Sequence, residues 1–223
     1  MRDLTLLIPT KNEMESLPKF LQELETYNCK KLLVVDNKDK NTYDIKKFNN
    51  IEILAQLNSG YGNALIEGIN KINTKYFCII NADGSMNPAE LDAMYQKCKF
   101  YNFIFGTRYG KDCSTEDDTF VTMIGNYFFS LIGKIFFNLK INDILYTYIL
   151  GETDFAKSLR LSYKDFRICV EIPIKIEKNK FSYSANNSNE RKRIGGKKKV
   201  NAIKDGLLIL SSMLNLFFKK TSI

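Results

Sequence analysis

The chain has 223 residues, 44% hydrophobic and 26% charged, an ordinary globular composition with room for a sizeable core. Its formal charge is +8 and it has no histidine, which excludes Ser-His-Asp chemistry, His-ligated zinc and histidine acid–base catalysis. Its five cysteines are odd in number and lack CxxC spacing, which argues against a disulfide framework or a zinc site and fits a reducing cytoplasm.

Leu4–Thr10 reads as a first strand, with Pro9 near its end. Lys11-Asn12-Glu13 leads into a helix expected from about Ser16 to Tyr27, with Leu17, Phe20, Leu21 and Leu24 on one face. Lys31–Asp36 reads as a second strand ending in an acid, and Ile51–Leu54 as a third. Asn58–Ala64 is a glycine-containing loop entering a helix expected from about Asn63 to Ile72. Phe77–Ile80 is a short apolar run, as expected of a strand covered on both faces, and Asn81-Ala82-Asp83-Gly84-Ser85 follows it. A helix is expected over Pro88–Lys99 and a strand over Phe103–Gly106, ahead of Thr107-Arg108-Tyr109.

Strand and helix alternate through residue 106, which predicts parallel βαβ units. Pro9–Glu13, Asp36 and Asp83 would then gather outside the carboxyl ends of the strands, where open α/β sheets bind ligands. Asp83 is the kind of oxygen ligand that Mg²⁺ or Mn²⁺ shares with substrate phosphates; a plain Asp-Gly turn is the alternative.

Residues 111–118 are polar and read as a loop. Thr122–Leu139 reads as an aromatic-rich helix, expected in the core, with a membrane interface as the alternative. Residues 152–166 look like mixed helix and loop, and 169–176 like a helix start or a strand, with Pro173 inside. Lys180–Ala185 resembles an edge strand. From Asn186 onward nine Lys and Arg face only Glu190 and Asp205, a positive field suited to phosphates or an anionic membrane. Gly195-Gly196 within that run suits a close approach of backbone to phosphate. The run lacks interleaved stacking aromatics, so nucleic acid is not an expected partner. Gly206–Phe218 is apolar, too short to span a bilayer and long enough for an interfacial helix. The N-terminus carries no signal-peptide pattern.

Leu7-Ile8-Pro9-Thr10-Lys11-Asn12-Glu13, Val34-Val35-Asp36-Asn37, Gly60-Tyr61-Gly62-Asn63-Ala64, Asn81-Ala82-Asp83-Gly84-Ser85 and Gly106-Thr107-Arg108-Tyr109 occur in the order seen in family 2 glycosyltransferases. Gly125-Asn126, Asp143 and Arg193–Lys199 further resemble the dolichyl-phosphate or polyprenyl-phosphate mannose synthase branch. The resemblance covers roughly residues 4–206. It implies an α/β GT-A fold, Rossmann-like and three-layered (α/β/α), with a central mixed, mostly parallel sheet. Residues 1–206 would form one such domain, with a nucleotide-sugar-binding half (1–110) and an acceptor-binding half (111–206). Residues 207–223 would form an amphipathic, interfacial helix.

The implied reaction moves a mannose- or glucose-type sugar, with inversion, from a GDP- or UDP-sugar to a polyprenyl-phosphate-like lipid. It would take place at the cytoplasmic face of a membrane. Carried over by position, Pro9, Lys11, Glu13, Asp36, Gly60, Asn63, Asn81 and Asp83 would hold the nucleotide-sugar. Asp83, Asn81 and Ser85 would hold Mg²⁺ or Mn²⁺. Arg108, Arg193, Lys197 and Lys199 would meet the acceptor phosphate, and Asp83, Asp143 and Arg108 would be catalytic. Asn37 stands where the family has a second acid, Asn81 replaces the first acid of its Asp-x-Asp motif, and Tyr146-Thr147-Tyr148 stands where a glycine is usual. A phosphate nucleophile is already anionic, so a chain without histidine suits it; a sugar hydroxyl would need a carboxylate base, for which Asp143 is the candidate. The alternatives are a saccharide acceptor in polysaccharide synthesis and a non-catalytic member that binds nucleotide-sugar or anionic lipid.

Overall fold

The computed structural model describes residues 1–39, 48, 50–196 and 201–219. Strand β1 (Leu4–Thr10) sends Leu4, Leu6 and Ile8 to one side and Leu7 to the other, the two-residue period of a strand buried on both faces. It pairs in parallel with β2 (Lys30–Val35) and β4 (Tyr76–Ile79), and β2 pairs in parallel with β3 (Ile51–Ala55). Beyond them lie β5 (Phe103–Thr107), β7 (Ile149–Glu152) and β8 (Tyr183–Asn187), so the strands run in the order 3-2-1-4-7-5-8. β7 is antiparallel to both its neighbours, and every other pairing in this sheet is parallel. The sheet is therefore mixed and mostly parallel, as expected. The reversed strand was not anticipated, because Ile149–Glu152 is only four residues long and follows no turn signal. A second, two-stranded ladder joins β6 (Ser114–Thr115) to β9 (Asn189–Glu190), inside the stretch expected to be a plain loop.

One face of the sheet is covered by α1 (Leu17–Leu24) and α3 (Leu91–Lys97), the other by α2 (Tyr61–Lys71), α4 (Phe120–Phe137), α5 (Thr153–Ser158), α6 (Ile168–Lys178) and α7 (Ala202–Phe218). α6 keeps helical form across Pro173, where a backbone donor is missing, because Val170, Ile172, Ile174 and Ile176 are all buried around it. That burial settles the helix-or-strand question left open by periodicity. β8 starts three residues later than expected but does lie at the sheet edge. α7 begins at Ala202, five residues before the expected boundary.

α4 corrects the expectation of a core helix. Phe120, Val121, Ile124, Tyr127, Ile135 and Phe136 are all exposed, while Asn126, Phe129, Ser130, Gly133 and Phe137 face inward. It is long and apolar enough by length and composition to cross a membrane, yet its inner side is bonded to protein. Asn126 accepts from the Leu145 N–H (3.0 Å) and Ser130 from the Ile144 N–H (3.1 Å). Exposed Ile203, Leu207, Leu214 and Phe218 belong to α7, which packs on α4 through Phe217 against Phe136 and Phe137.

Candidate active site

A cavity of about 550 Å³ opens at the carboxyl ends of the parallel strands. Its walls come from the end of β1, the loop after β4, the start of α2, the 117–126 stretch, the 165–166 turn and Arg193. Of the residues singled out by sequence, Pro9, Lys11, Glu13, Gly60, Asn81, Asp83, Arg108 and Arg193 line it. Asp36, Asn63, Ser85 and Asp143 are buried behind the lining. Lys197 and Lys199 lie outside the described residues.

Asp83 occupies the turn expected for it, with Gly84 taking the left-handed conformation (φ +75°). One carboxylate oxygen accepts from the Ser85 N–H (3.1 Å) and hydroxyl (3.0 Å), which fixes the side chain. The other lies 3.6 Å from the Arg193 guanidinium, itself held bidentately by Asp117 at 2.9 and 2.7 Å. Segment 190–196 is laced onto this turn. Arg191 N–H donates to the Ser85 carbonyl, Ile194 N–H to the Asp83 carbonyl, and the Arg191 side chain to the Gly84 carbonyl.

For a divalent cation the donor chemistry fits a sparse site. Asp83 offers a hard carboxylate oxygen into the cavity, and Mg²⁺ commonly binds through one or two carboxylates plus substrate phosphates. Ser85 is buried with its hydroxyl proton given to Asp83, and the Asn81 amide oxygen accepts from the Tyr61 hydroxyl (3.1 Å). Asp83 is thus the anchoring ligand such a cation would have among the three residues expected.

Beyond the ends of β1 and β2, Asp36 accepts from the Ser59 hydroxyl (2.5 Å) and pairs with Lys11 (2.9 Å). Ser59 first, then Lys11, pulls its carboxyl down to about 2. A carboxyl below its unfolded value stabilises the fold above about pH 4, and that share is lost as pH falls toward 2. Ser59→Ala is expected to move the Asp36 titration upward toward the ordinary range, read by carbon-13 NMR of the carboxyl; an unmoved titration rejects the hydrogen bond as its cause.

Arg108 directly follows β5, and its side chain is 9% exposed. It donates three hydrogen bonds of 2.8 to 2.9 Å to Asp143, one from its backbone, and also reaches Glu190 at 3.2 Å and Asp118 at 3.6 Å. Asp118 also accepts from Tyr109 and Thr122. Burial pushes the Glu190 carboxyl up, and Arg108 pulls it back. With both oxygens of Asp143 taken by Arg108, its evident task is to orient that guanidinium.

Tyr61, Asp117, Asp118, Thr122, Asn126 and Phe166 also line the cavity, and sequence reading assigned none of them a role. The acid pair Asp117-Asp118 just before an aromatic helix was the available signal. Tyr61 stacks on Phe166 (ring centres 5.1 Å apart), and the helix start that carries it packs on the 163–165 backbone. A Cβ on Gly62 would lie 2.2 Å from the Tyr163 carbonyl oxygen, so only glycine permits this approach. Asn63 serves the same junction through its backbone N–H, which donates to the Lys164 carbonyl (3.1 Å), while its side chain donates to the Ser59 carbonyl (3.0 Å).

Residues 5–165 match the family described as Glycosyl transferase family 2. An uncharacterized glycosyltransferase of Mycobacterium tuberculosis strain H37Rv is 30% identical over 87 residues, a match spanning 39% of this chain and 39% of that protein. The fold resembles glucosyl-3-phosphoglycerate synthase of Mycobacterium tuberculosis, solved with Mn²⁺, UDP and glucosyl-3-phosphoglycerate. That likeness has a TM-score of 0.69 and 12% identity over 99% of this chain and 82% of that one. Mannosyl-3-phosphoglycerate synthase of Rubrobacter xylanophilus is also similar, with a TM-score of 0.65 and 10% identity over 96% of this chain and 72% of that one. These likenesses establish the GT-A fold. With the family match covering most of its length, the chain belongs to the family 2 glycosyltransferases.

Proposed function

We propose that the protein transfers a mannose- or glucose-type sugar, with inversion, from a GDP- or UDP-sugar to a polyprenyl-phosphate-like lipid at a membrane surface, assisted by Mg²⁺ or Mn²⁺. The observation that carries the lipid acceptor is the position of α4. Its Thr122 and Asn126 line the cavity while Phe120, Ile124 and Tyr127 face outward as an apolar surface continued by α7. A lipid phosphate could enter the cavity while its chain stays in the bilayer on which α4 and α7 rest.

Asp83, held by Ser85, would anchor the cation, which would offset charge growing on the leaving diphosphate. Arg193, held by Asp117 beside Asp83 and lining the cavity, would meet the same phosphates. Arg108, oriented by Asp143 and lining the cavity, would meet the acceptor phosphate. The phosphate nucleophile arrives ionised, so no side chain is asked to act as a strong base.

The test is sugar transfer from GDP-mannose and UDP-glucose, with Mn²⁺, to polyprenyl phosphate in anionic vesicles. A parallel arm offers 3-phosphoglycerate in solution, the acceptor chemistry named for the structural neighbours. Product in the lipid fraction is expected; product only in the soluble arm, or nucleotide binding without transfer in either, overturns the proposal. Ile124→Ser with Tyr127→Ser should weaken vesicle co-sedimentation at least about tenfold. Unchanged sedimentation rejects α4 as the membrane face.

A further inference from the structure

α4 and α7 lie side by side and run in the same direction. A Cβ on Gly206, early in α7, would come within 3.9 Å of the Phe129 ring. Phe217, at the end of α7, packs on Phe136 and Phe137 with ring centres 5.8 and 5.9 Å apart. The C-terminal ends of the two helices therefore meet, and the end of α6 joins them. Lys178 of α6 donates to the Leu216 and Lys219 carbonyls. The Lys140 N–H, just past α4, donates to the Tyr183 hydroxyl, which donates in turn to Glu177 of α6 (2.6 Å).

Charge is sorted along this surface. Lys134 is the only charged residue between Phe120 and Phe137, and only Lys204 and Asp205 are charged between Ala202 and Phe218. Acids Glu116, Asp117 and Asp118 precede α4, at the cavity end. Exposed Lys134, Lys140 and Lys219 stand at the other end, and no carboxylate pairs with them among the described residues. Lys134 gives one proton to the Asn142 side chain (2.6 Å) and keeps two. Glu177, the acid on the adjoining end of α6, is taken by Tyr183. A helix C-terminus favours lysine through its dipole, and Lys178 already serves the last carbonyls of α7. The dipole does not require the other three cations to border an apolar surface, yet Ile135, Phe136, Leu214 and Phe218 are exposed beside them. Cations edging an apolar face match an anionic bilayer, which offers headgroup phosphates above acyl chains. Lys134 lies about 18 Å along α4 from the cavity-lining Thr122, so this rim is separate from the cavity.

We propose that the joined C-terminal ends of α4, α6 and α7 form a contact for anionic phospholipid headgroups, with Lys134, Lys140 and Lys219 meeting lipid phosphate while the apolar faces of α4 and α7 enter the bilayer. This rests on the membrane-surface reading above and adds to it the kind of lipid recognised. The contact makes binding depend on lipid charge and ionic strength, whereas the apolar faces alone would accept a neutral bilayer equally well.

The test is co-sedimentation of the full chain with phosphatidylcholine vesicles and with equimolar phosphatidylcholine and phosphatidylglycerol vesicles. Wild type should partition at least about tenfold more strongly onto the anionic vesicles, and added salt should narrow the difference. Lys134→Gln, Lys140→Gln and Lys219→Gln together should weaken anionic binding about tenfold or more and phosphatidylcholine binding less than about twofold, with an unchanged thermal midpoint. Lys134→Arg, Lys140→Arg and Lys219→Arg should keep the preference. Arg2, Lys19 and Lys99 are exposed at the N-terminus, on α1 and after α3. Replacing these three with glutamine makes the same change in net charge and should cost less than about threefold. Equal loss in the two glutamine triples shows net charge at work and overturns the inference, as does a wild type that binds both vesicles alike. A wild type that binds neither vesicle overturns the membrane reading itself.

Discussion

Asp83→Ala should lower the rate of sugar transfer by at least about a hundredfold while leaving the thermal midpoint within about 3 °C of wild type. The two halves of this expectation have different sources. Asp83 is the one carboxylate among the three residues expected to hold the cation, and it faces the cavity rather than the core. Under the proposed function its loss would remove the cation's hard-oxygen ligand, together with the carboxylate 3.6 Å from Arg193. Arg193 would remain bound by Asp117, and segment 190–196 would keep its backbone bonds from Arg191 to Ser85 and from Ile194 to position 83. Steady-state transfer assays beside differential scanning calorimetry make the check. A variant with kcat within about threefold of wild type would remove Asp83 from the mechanism, and a collapse of the midpoint would mark its role as structural.

The largest effect on stability is expected from Arg108→Met. The guanidinium sits among Asp143, Glu190 and Asp118, whose side chains are 0%, 7% and 6% exposed. Removing the cation from buried carboxylates costs about 3–5 kcal/mol, because the charges left behind lack both water and a partner. In a chain of this size that lowers the midpoint by about 6–20 °C. The pH dependence has a definite sign. Burial already pushes the Glu190 carboxyl up and Arg108 pulls it back, so without Arg108 it rises further, and the folded variant binds more protons and gains stability as pH falls. The deficit against wild type should therefore be smaller near pH 5 than near pH 8. Calorimetry at both values tests this, and a deficit independent of pH would show that lost packing, not charge, is the cause. Arg108→Lys should fall between the two, since lysine keeps the charge but not the planar fork that meets both oxygens of Asp143.

The local pattern of the chain was enough to place the strands of its first half. The apolar runs ending at Thr10, Val35 and Ile79 announce strands whose ends carry Glu13, Asp36 and Asp83, because burial on both faces leaves a continuous hydrophobic signature. The later half was less legible. β7 is too short to stand out, and its reversed direction depends on sitting between β4 and β5. The exposure of α4 could not be read from its composition, since a core helix and an interfacial helix draw on the same aromatics. Asp143 looked like a candidate base in sequence, and only the approach of Arg108 from 35 positions away shows its oxygens to be taken.

Sequence alone thus determined the fold class, the family and the turn that carries Asp83, because each rests on contiguous residues whose spacing is itself the signal. Tertiary structure decided what those residues can do. It set Arg193 against Asp83 and Asp117, tied Thr147 through Tyr61 to Asn81, and buried Asn126 in the cavity wall. Hydrogen-bond direction and burial arise between segments as distant as residues 61 and 147, and no local pattern encodes them.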